Sequence, residues 1–348
     1  MVPAAASACT GASPDPILTA SLYNAGALDA VIHHVVAPFR HCLAVEEGSW
    51  LWGMRYSCGG EHLKIRVHGP ETDRSRLADL LEQKARDYLS WVEPAAGASR
   101  VSRRDVPPID VEDQAVEDFP DLSFHWTTYR RSTVSLGGNP FLLDDQYVAS
   151  LTRCLGYGCD MVLAALQPDA EGRFPHQPRQ AALLKALLAG LTEIPADRRS
   201  AFLAYHRDWL LRVSLIKSGA AWEQGRALLA RLDLRAESSG EALAILRQSA
   251  AAQWEGPTLA EDPLTAGWRG SLSRLARYVE AFGEDPNYNL DPFAPEPSFP
   301  VLFKAFHGLA NQLGLDRLNE AYAHHLLLHA IGAVTSGEGV PLIPELAA

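Results

Sequence analysis

The chain has 348 residues, a formal net charge of −11, 47% hydrophobic residues and 21% charged residues. This composition is typical of a soluble globular protein with enough apolar side chains for a core. The acidic balance argues against nonspecific nucleic-acid binding, and no apolar run is long enough to span a bilayer, so we expect neither nucleic acid nor membrane among its partners.

The N-terminus and the cysteines indicate a cytoplasmic location. Residues 1–15 lack the basic and apolar regions of a signal peptide, and we expect them to be flexible. The five cysteines are odd in number and form no C-x-x-C pair, so they support neither a zinc ribbon nor a disulfide framework.

Strand and helix patterns alternate in the first third of the chain. Alternating or β-branched runs predict strands, and apolar residues at helical spacing predict helices. In chain order we predict a strand over 17–23, a helix over 28–40 that ends at Pro38, a hairpin of 49–57 with 62–68 around Gly59 and Gly60, a helix over 73–92 and a strand over 124–131.

From about residue 144 the pattern is helical, interrupted by a proline-rich stretch over 283–300 that predicts a surface loop. Strands followed by helices favour an α+β fold, with an antiparallel sheet first and a mostly helical part after it. We expect a single catalytic domain over 16–348.

The segment HLKIR at 62–66 places three cation-capable side chains on alternate residues. Period two puts His62, Lys64 and Arg66 on one face of a strand, and their apolar neighbours on the other. Two interpretations stay open at this point. The polar face is either the solvated side of an edge strand or a surface for an anionic or polar partner.

The last helical segment concentrates histidines. Tyr322, His325 and His329 share one stripe, and His324 points about 100° away from His325. His325 and His329 have a spacing that suits zinc, but no third ligand stands nearby in the sequence, so we predict no metal. Either these histidines are core residues with satisfied hydrogen bonds, or they form the wall of an active site.

Several short motifs occur in an order that resembles a known family. They are W-x-x-R-Y at 52–56, HLKIR at 62–66, Tyr129 followed by Gly137 and Gly138, YHRDWLL at 205–211, and a histidine-containing helix before Gly332. The set resembles the thiopeptide-type bacteriocin biosynthesis family, which is the elimination domain of LanB-type lantibiotic dehydratases. The resemblance spans most of the chain.

Two departures from the family pattern bear directly on its elimination chemistry. The glutamate and arginine that serve glutamate elimination in that family fall on Ser132 and Ser135 here. A serine hydroxyl can neither act as a carboxylate base nor hold a carboxylate as arginine does. The chain is therefore most similar to the branch that has lost this pair, the pyridine synthases of thiopeptide antibiotic pathways.

That resemblance implies a lyase- or cyclase-type enzyme without cofactor or metal. The reaction would be a formal [4+2] aza-cycloaddition of two dehydroalanines in a ribosomally made precursor peptide, with loss of water and of the leader as a carboxamide. The partners would be the leader, the azole- and dehydroalanine-containing core and, transiently, other pathway enzymes. The alternatives are a glutamate-eliminating subunit of a split dehydratase and a non-catalytic scaffold that binds the precursor.

The site residues follow from the same resemblance. The predicted catalytic residues are Tyr129, Arg66 and either His324 or His325; anchoring the family's terminal motif on Gly332 selects His324, and a one-residue slip selects His325. The predicted substrate-binding residues include a polar wall of Arg55, His62 and Lys64. Trp52, Phe124 and Trp126 are predicted to form aromatic walls, and core packing is the alternative for each tryptophan. The remaining predicted substrate-binding residues are Ser132, Ser135, Tyr322 and His329.

Overall fold

A computed structural model describes residues 17–43, 49–56, 60–69, 74–93, 119–127, 145–218, 222–254, 262–281 and 294–332. The chain divides into two compact units, Met1–Ser135 and Leu136–Ala348. The predicted flexible segment 1–15 lies outside the described residues, and the single domain over 16–348 stays a prediction.

The described part of unit 1 contains a four-stranded antiparallel sheet in the order β2-β3-β1-β4. Its strands are β1 (Ile17–Tyr23), β2 (Trp50–Tyr56), β3 (His62–His68) and β4 (Ser123–Thr127). The predicted hairpin of β2 and β3 is confirmed, and Gly60 in its turn has a φ of 101°, which favours glycine. β3 is an interior strand, so the edge-strand interpretation of HLKIR is wrong.

One face of this sheet forms the core of unit 1. Leu22 of β1 pairs with Leu63 of β3 and Phe124 of β4, and all three are fully buried. The helices α1 (Leu28–Val31), α2 (Ala37–Leu43) and α3 (Arg74–Val92) belong to the same unit, and α3 contacts β1 and β4. Apolar burial at alternate strand positions therefore fixes which way each strand side chain points.

The first helical region does not end at Pro38, as the sequence predicts. A π-helical turn at Ile32–Val36 joins α1 to α2, and the N–H of Ala37 bonds the carbonyl of Ile32, five residues back. Pro38 then lies in the first turn of α2. Because proline lacks an N–H, a position beside a widened turn accommodates it at a lower cost than a regular helix interior would.

All regular secondary structure in the described part of unit 2 is helical, which confirms the α+β prediction. Its helices are α4 (Asp145–Ala165), α5 (Gln177–Gly190), α6 (Arg199–Ser218), α7 (Trp222–Glu237), α8 (Gly240–Trp254), α9 (Pro263–Glu280), α10 (Ser298–Leu313) and α11 (Arg317–Ala330). The predicted loop over 283–300 ends earlier than expected, because α10 already includes residues 298–300 and Pro300 falls in its first turn, where no N–H is needed.

Helix α11 lies at the centre of unit 2. It packs most extensively on α6 and also contacts α5, α7 and α8. The Asp316 carboxylate caps its N-terminus by accepting a hydrogen bond from the N–H of Asn319. Side chains of α11 therefore project towards several helices. None of the described helices combines the length and apolar character required to cross a bilayer.

Candidate functional site

The second face of the unit 1 sheet carries the polar side chains of HLKIR. His62, Lys64 and Arg66 pair with Tyr23, Ser21 and Thr19 of β1, so the three cation-capable groups share a face with three hydroxyl-bearing side chains. Only 3% of His62 and 8% of Lys64 is exposed. The solvated-face interpretation is therefore wrong, and burial of this many polar groups needs another explanation.

Aromatic rings contact the three cation-capable side chains of this face. The His62 ring stacks on Tyr23 at 4.5 Å and on Tyr56 at 5.5 Å, and its Nδ1 contacts the Gly60 carbonyl at 2.8 Å. Lys64 Nζ lies 4.8 Å from the centre of the Tyr56 ring. Arg66 donates to the Tyr56 hydroxyl at 3.4 Å. Tyr56 thus contacts all three, and a cation above a ring face is stabilised by the ring quadrupole.

Three more donors lie on this face. The Thr19 and Ser21 hydroxyls and the Trp52 indole N–H are buried without a hydrogen-bond partner among the described residues. Trp52 pairs directly with Arg66 on β3, which in turn pairs with Thr19 on β1. Burying a hydrogen-bond donor without a partner reduces the stability of the fold by about 1–3 kcal/mol. This row of donors is therefore better suited to bind a polar ligand than to pack in an apolar core.

Arg55, Phe124 and Trp126 lie on the opposite face of the sheet. Arg55 donates to Asp29 of α1 at 2.6 Å, so its predicted place in the wall of His62, Lys64 and Arg66 is wrong. Register explains the error, because Arg55 pairs with Leu63. Phe124 and Trp126 are buried on that face, and the Trp126 N–H donates to Glu82 of α3 at 2.6 Å. Both pack as core residues, which for Trp126 is the alternative left open by the sequence.

In unit 2, α11 and α7 together form a cluster of two histidines and one carboxylate. Asp233 Oδ1 lies 3.0 Å from His325 Nε2 and 3.2 Å from His329 Nε2, and the two Nε2 atoms are 3.1 Å apart. Exposure rises outwards, from 1% for His325 to 18% for His329 and 39% for Asp233. We call these three residues the His–His–Asp cluster.

An arginine from α6 completes the surroundings of His325. Arg207 donates to His325 Nδ1 at 3.3 Å and to the Asp208 carboxylate at 2.7 Å. Burial, followed by repulsion from Arg207 and His329, lowers the pKa of His325 to about 4, although Asp233 opposes this shift. Burial also raises the pKa of Asp208, with Arg207 acting against it. At neutral pH the His325 ring is therefore uncharged, and both of its nitrogens have partners, Arg207 at Nδ1 and the other two cluster residues at Nε2.

His324 points into a separate buried group. It is completely buried, its Nδ1 donates to the Glu320 carbonyl at 3.0 Å, and its ring lies 5.4 Å from that of His206 on α6. Burial lowers the pKa of both His324 and His206. The two adjacent histidines of α11 thus have different environments, as their angular separation predicts.

Tyr322 faces α7 and α8. Its hydroxyl shares a hydrogen bond of 2.9 Å with Ser239, and the Arg235 guanidinium lies 3.8 Å from the ring centre. Since only 4% of Tyr322 is exposed, its present contacts are structural. Tyr129, Ser132 and Ser135 lie outside the described residues, so their predicted roles stay predictions.

Sequence reasoning missed Asp233 and Arg207 as neighbours of His325. No third ligand was expected, because none stands near the two histidines in the sequence. In the structure α7 packs against α11 and brings Asp233 close to both histidines. Arg207 lies within the YHRDWLL motif, so the motif was a signal for it. Asp233 is one of many acidic residues on a helix and carries no such signal.

Comparison with known proteins settles the family. The family described as the C-terminal part of lantibiotic biosynthesis dehydratases matches residues 18–331. The chain belongs to this family.

Two solved structures share the lantibiotic dehydratase C-terminal fold. The pyridine synthase TbtD from thiomuracin biosynthesis is 16% identical, with a TM-score of 0.59 over 92% of this chain and 99% of TbtD. The tRNA-dependent lantibiotic dehydratase MibB from Microbispora sp. 107891 is 13% identical, with a TM-score of 0.50 over 93% of this chain and 28% of MibB. A search of curated proteins finds no match. At these identities the likeness establishes the fold alone.

Proposed function

We propose that this member of the lantibiotic dehydratase C-terminal family is a pyridine synthase acting on a thiopeptide precursor. The proposal is carried by Ser132 and Ser135, which stand where the resemblance places the family's glutamate and arginine, in a chain that belongs to the family. Without that pair, glutamate elimination lacks both its base and its arginine.

The proposed chemistry needs no oxidant. One dehydroalanine and the iminol form of its neighbouring amide supply a 2-azadiene, and a second dehydroalanine supplies the alkene. Two C–C bonds form, the iminol oxygen leaves as water, and the nitrogen of the second dehydroalanine leaves with the leader as a carboxamide. Both losses are eliminations, and together they make the ring aromatic.

The polar face of unit 1 suits the peptide-binding part of this task. Two distant alkenes have to be held together, and good orientation can contribute about 7–11 kcal/mol. Lys64, Arg66 and the Thr19, Ser21 and Trp52 donors match the carbonyls of a core peptide and an oxyanion that develops on the amide. We assign this face to the core peptide.

Proton transfer is assigned to Tyr129, with His324 or His325 as the second group. A tyrosine and an imidazole are suited to move protons near neutral pH. Both histidines are neutral in their buried settings, and neither presents a free nitrogen at the surface. Tyr129 is therefore the stronger candidate for direct contact with the substrate.

The test is incubation of the full chain with an azole-containing precursor that carries two dehydroalanines, followed by mass spectrometry. A macrocyclic product and a released leader carboxamide support the proposal. Unchanged substrate that still binds supports the scaffold, and release of glutamate from a glutamylated peptide supports the elimination subunit.

The Tyr129→Phe variant tests the assigned proton carrier. We expect turnover to fall about 10²–10⁴-fold while precursor affinity changes little, because the hydroxyl proton is needed in the chemical step. Tyr278→Phe on α9 removes the same hydroxyl outside the proposed machinery and is the matched control. Full activity of Tyr129→Phe would remove Tyr129 from the mechanism.

A further inference from the structure

We propose that the His–His–Asp cluster of Asp233, His325 and His329 binds a divalent transition-metal ion of the zinc class. The proposal goes beyond the cyclisation chemistry and does not depend on it. It rests on three donor atoms that two helices of unit 2 bring within 3.2 Å of one another.

The distances between the donors fit a tetrahedral ion. Zinc bonds imidazole nitrogen and carboxylate oxygen at about 2.0–2.2 Å, which places tetrahedral ligands roughly 3.3 Å apart. The three separations in the cluster run from 3.0 to 3.2 Å, so little movement is needed. Two imidazoles and one carboxylate leave a fourth position, which matches zinc sites with three protein ligands.

The donor chemistry selects the class of metal. Imidazole nitrogen suits zinc, cobalt, nickel and copper, whereas magnesium and calcium prefer oxygen ligands. An i, i+4 pair places His325 and His329 on the same side of α11, and Asp233 adds an anionic ligand from α7. A bound ion would therefore link α7 to α11.

Arg207 opposes this binding. Its guanidinium donates to His325 Nδ1 at 3.3 Å, so that nitrogen acts as an acceptor. When a metal occupies Nε2 of a neutral imidazole, Nδ1 carries the proton and normally donates. The Arg207 guanidinium and the Nδ1–H of a metal-bound His325 would then both be donors facing each other. Arg207 therefore has to move away when the metal binds. Its bond to Asp208 provides it with another partner.

The experiment titrates Zn²⁺ into metal-stripped, untagged full chain by calorimetry, with Co²⁺ absorption as the spectroscopic readout. We expect one ion per chain, tighter binding of Zn²⁺ than of Co²⁺, and no comparable binding of Mg²⁺. Asp233→Asn and His329→Gln are expected to weaken binding about tenfold or more. Both positions are partly exposed, so both variants should fold.

Two further variants complete the test. Glu237→Gln removes one negative charge at the exposed end of α7 and should bind as the parent does. Arg207→Gln should bind more tightly, because an amide oxygen can accept from Nδ1. An absence of 1:1 binding in the parent, or unchanged affinity in both Asp233→Asn and His329→Gln, overturns the proposal. Neither result decides whether the pyridine forms, because that reaction is followed separately by mass.

Discussion

His206 shows how burial sets the protonation of a single side chain. It is completely buried on α6, its Nε2 donates to the Phe299 carbonyl at 3.1 Å, and its Nδ1 has no partner among the described residues. Burial, and then repulsion from His324 of α11 and His307 of α10, lowers the pKa of His206 well below its usual range. The folded chain therefore keeps this ring neutral where an unfolded chain would protonate it.

This predicts acid sensitivity with a defined onset. Above about pH 6.5 the ring is neutral in both the folded and the unfolded state. Below that pH only the unfolded state takes up the proton. The free energy of unfolding therefore decreases as the pH is lowered, by at most about 1.4 kcal/mol per pH unit from this group. The loss continues until the folded-state pKa is reached. Urea unfolding at several pH values between 7.5 and 5 measures it.

A His206→Gln variant isolates this contribution, because glutamine can still donate to the Phe299 carbonyl but does not titrate. We expect lower stability at pH 7.5 and a shallower loss towards pH 5. His176→Gln, at an exposed position, should leave the slope unchanged. An unaltered slope in His206→Gln would contradict the assignment.

At the scale of elements, unit 2 depends on a close approach of three helices. Gly190 ends α5, and a Cβ atom there would lie 2.5 Å from Phe306 of α10 and 2.7 Å from Leu272 of α9. Both neighbours are 1% exposed, so moving either side chain aside would disturb the packing of the core. The glycine is needed for space, because its φ of −68° is open to any residue.

Gly190→Ala is therefore expected to destabilise the chain by about 1–3 kcal/mol through overpacking, despite the better helix propensity of alanine. Gly240→Ala is the control, because a Cβ at that position, at the start of α8, meets nothing within 4 Å. It should be neutral or slightly stabilising. Thermal or urea unfolding compares the two, and equal stabilities would show that the helices can separate to accept a methyl group.

At the scale of the whole molecule, the net charge of −11 acts on any charged partner. The summed field would repel an acidic leader at long range. In the proposed function, Lys64 and Arg66 hold the core peptide and do not attract the leader. Binding of the leader by these cations and repulsion of the leader by the net charge predict opposite effects of salt on the rate at which the leader associates.

We predict that a labelled acidic leader associates faster as salt rises from about 0.01 to 0.15 M, because screening removes the repulsion. Stopped-flow fluorescence measures the rate constant. A neutral peptide of the same length is the control and should show little change. A rate constant that falls as salt rises would instead indicate that Lys64 and Arg66 bind the leader.

Local patterns in the sequence were enough to predict the α+β order of elements, the hairpin of β2 and β3 and the family. Alternation and helical periodicity depend on neighbours within a few residues, so they can be read without knowing the fold. The same patterns were wrong about Pro38 and about the edge position of β3. In the first case a π-helical turn before the proline allows the helix to continue past it. In the second case β1 pairs with the side of β3 that β2 leaves open.

The tertiary structure alone decided which side chains meet. Arg55 turned to Asp29 because strand register, which no single strand reveals, placed it on the helical face. Asp233 joined His325 and His329 because α7 packs against α11, a contact between segments far apart in the chain. Such contacts depend on how buried surfaces fit together, and the sequence encodes that fit only through the whole fold.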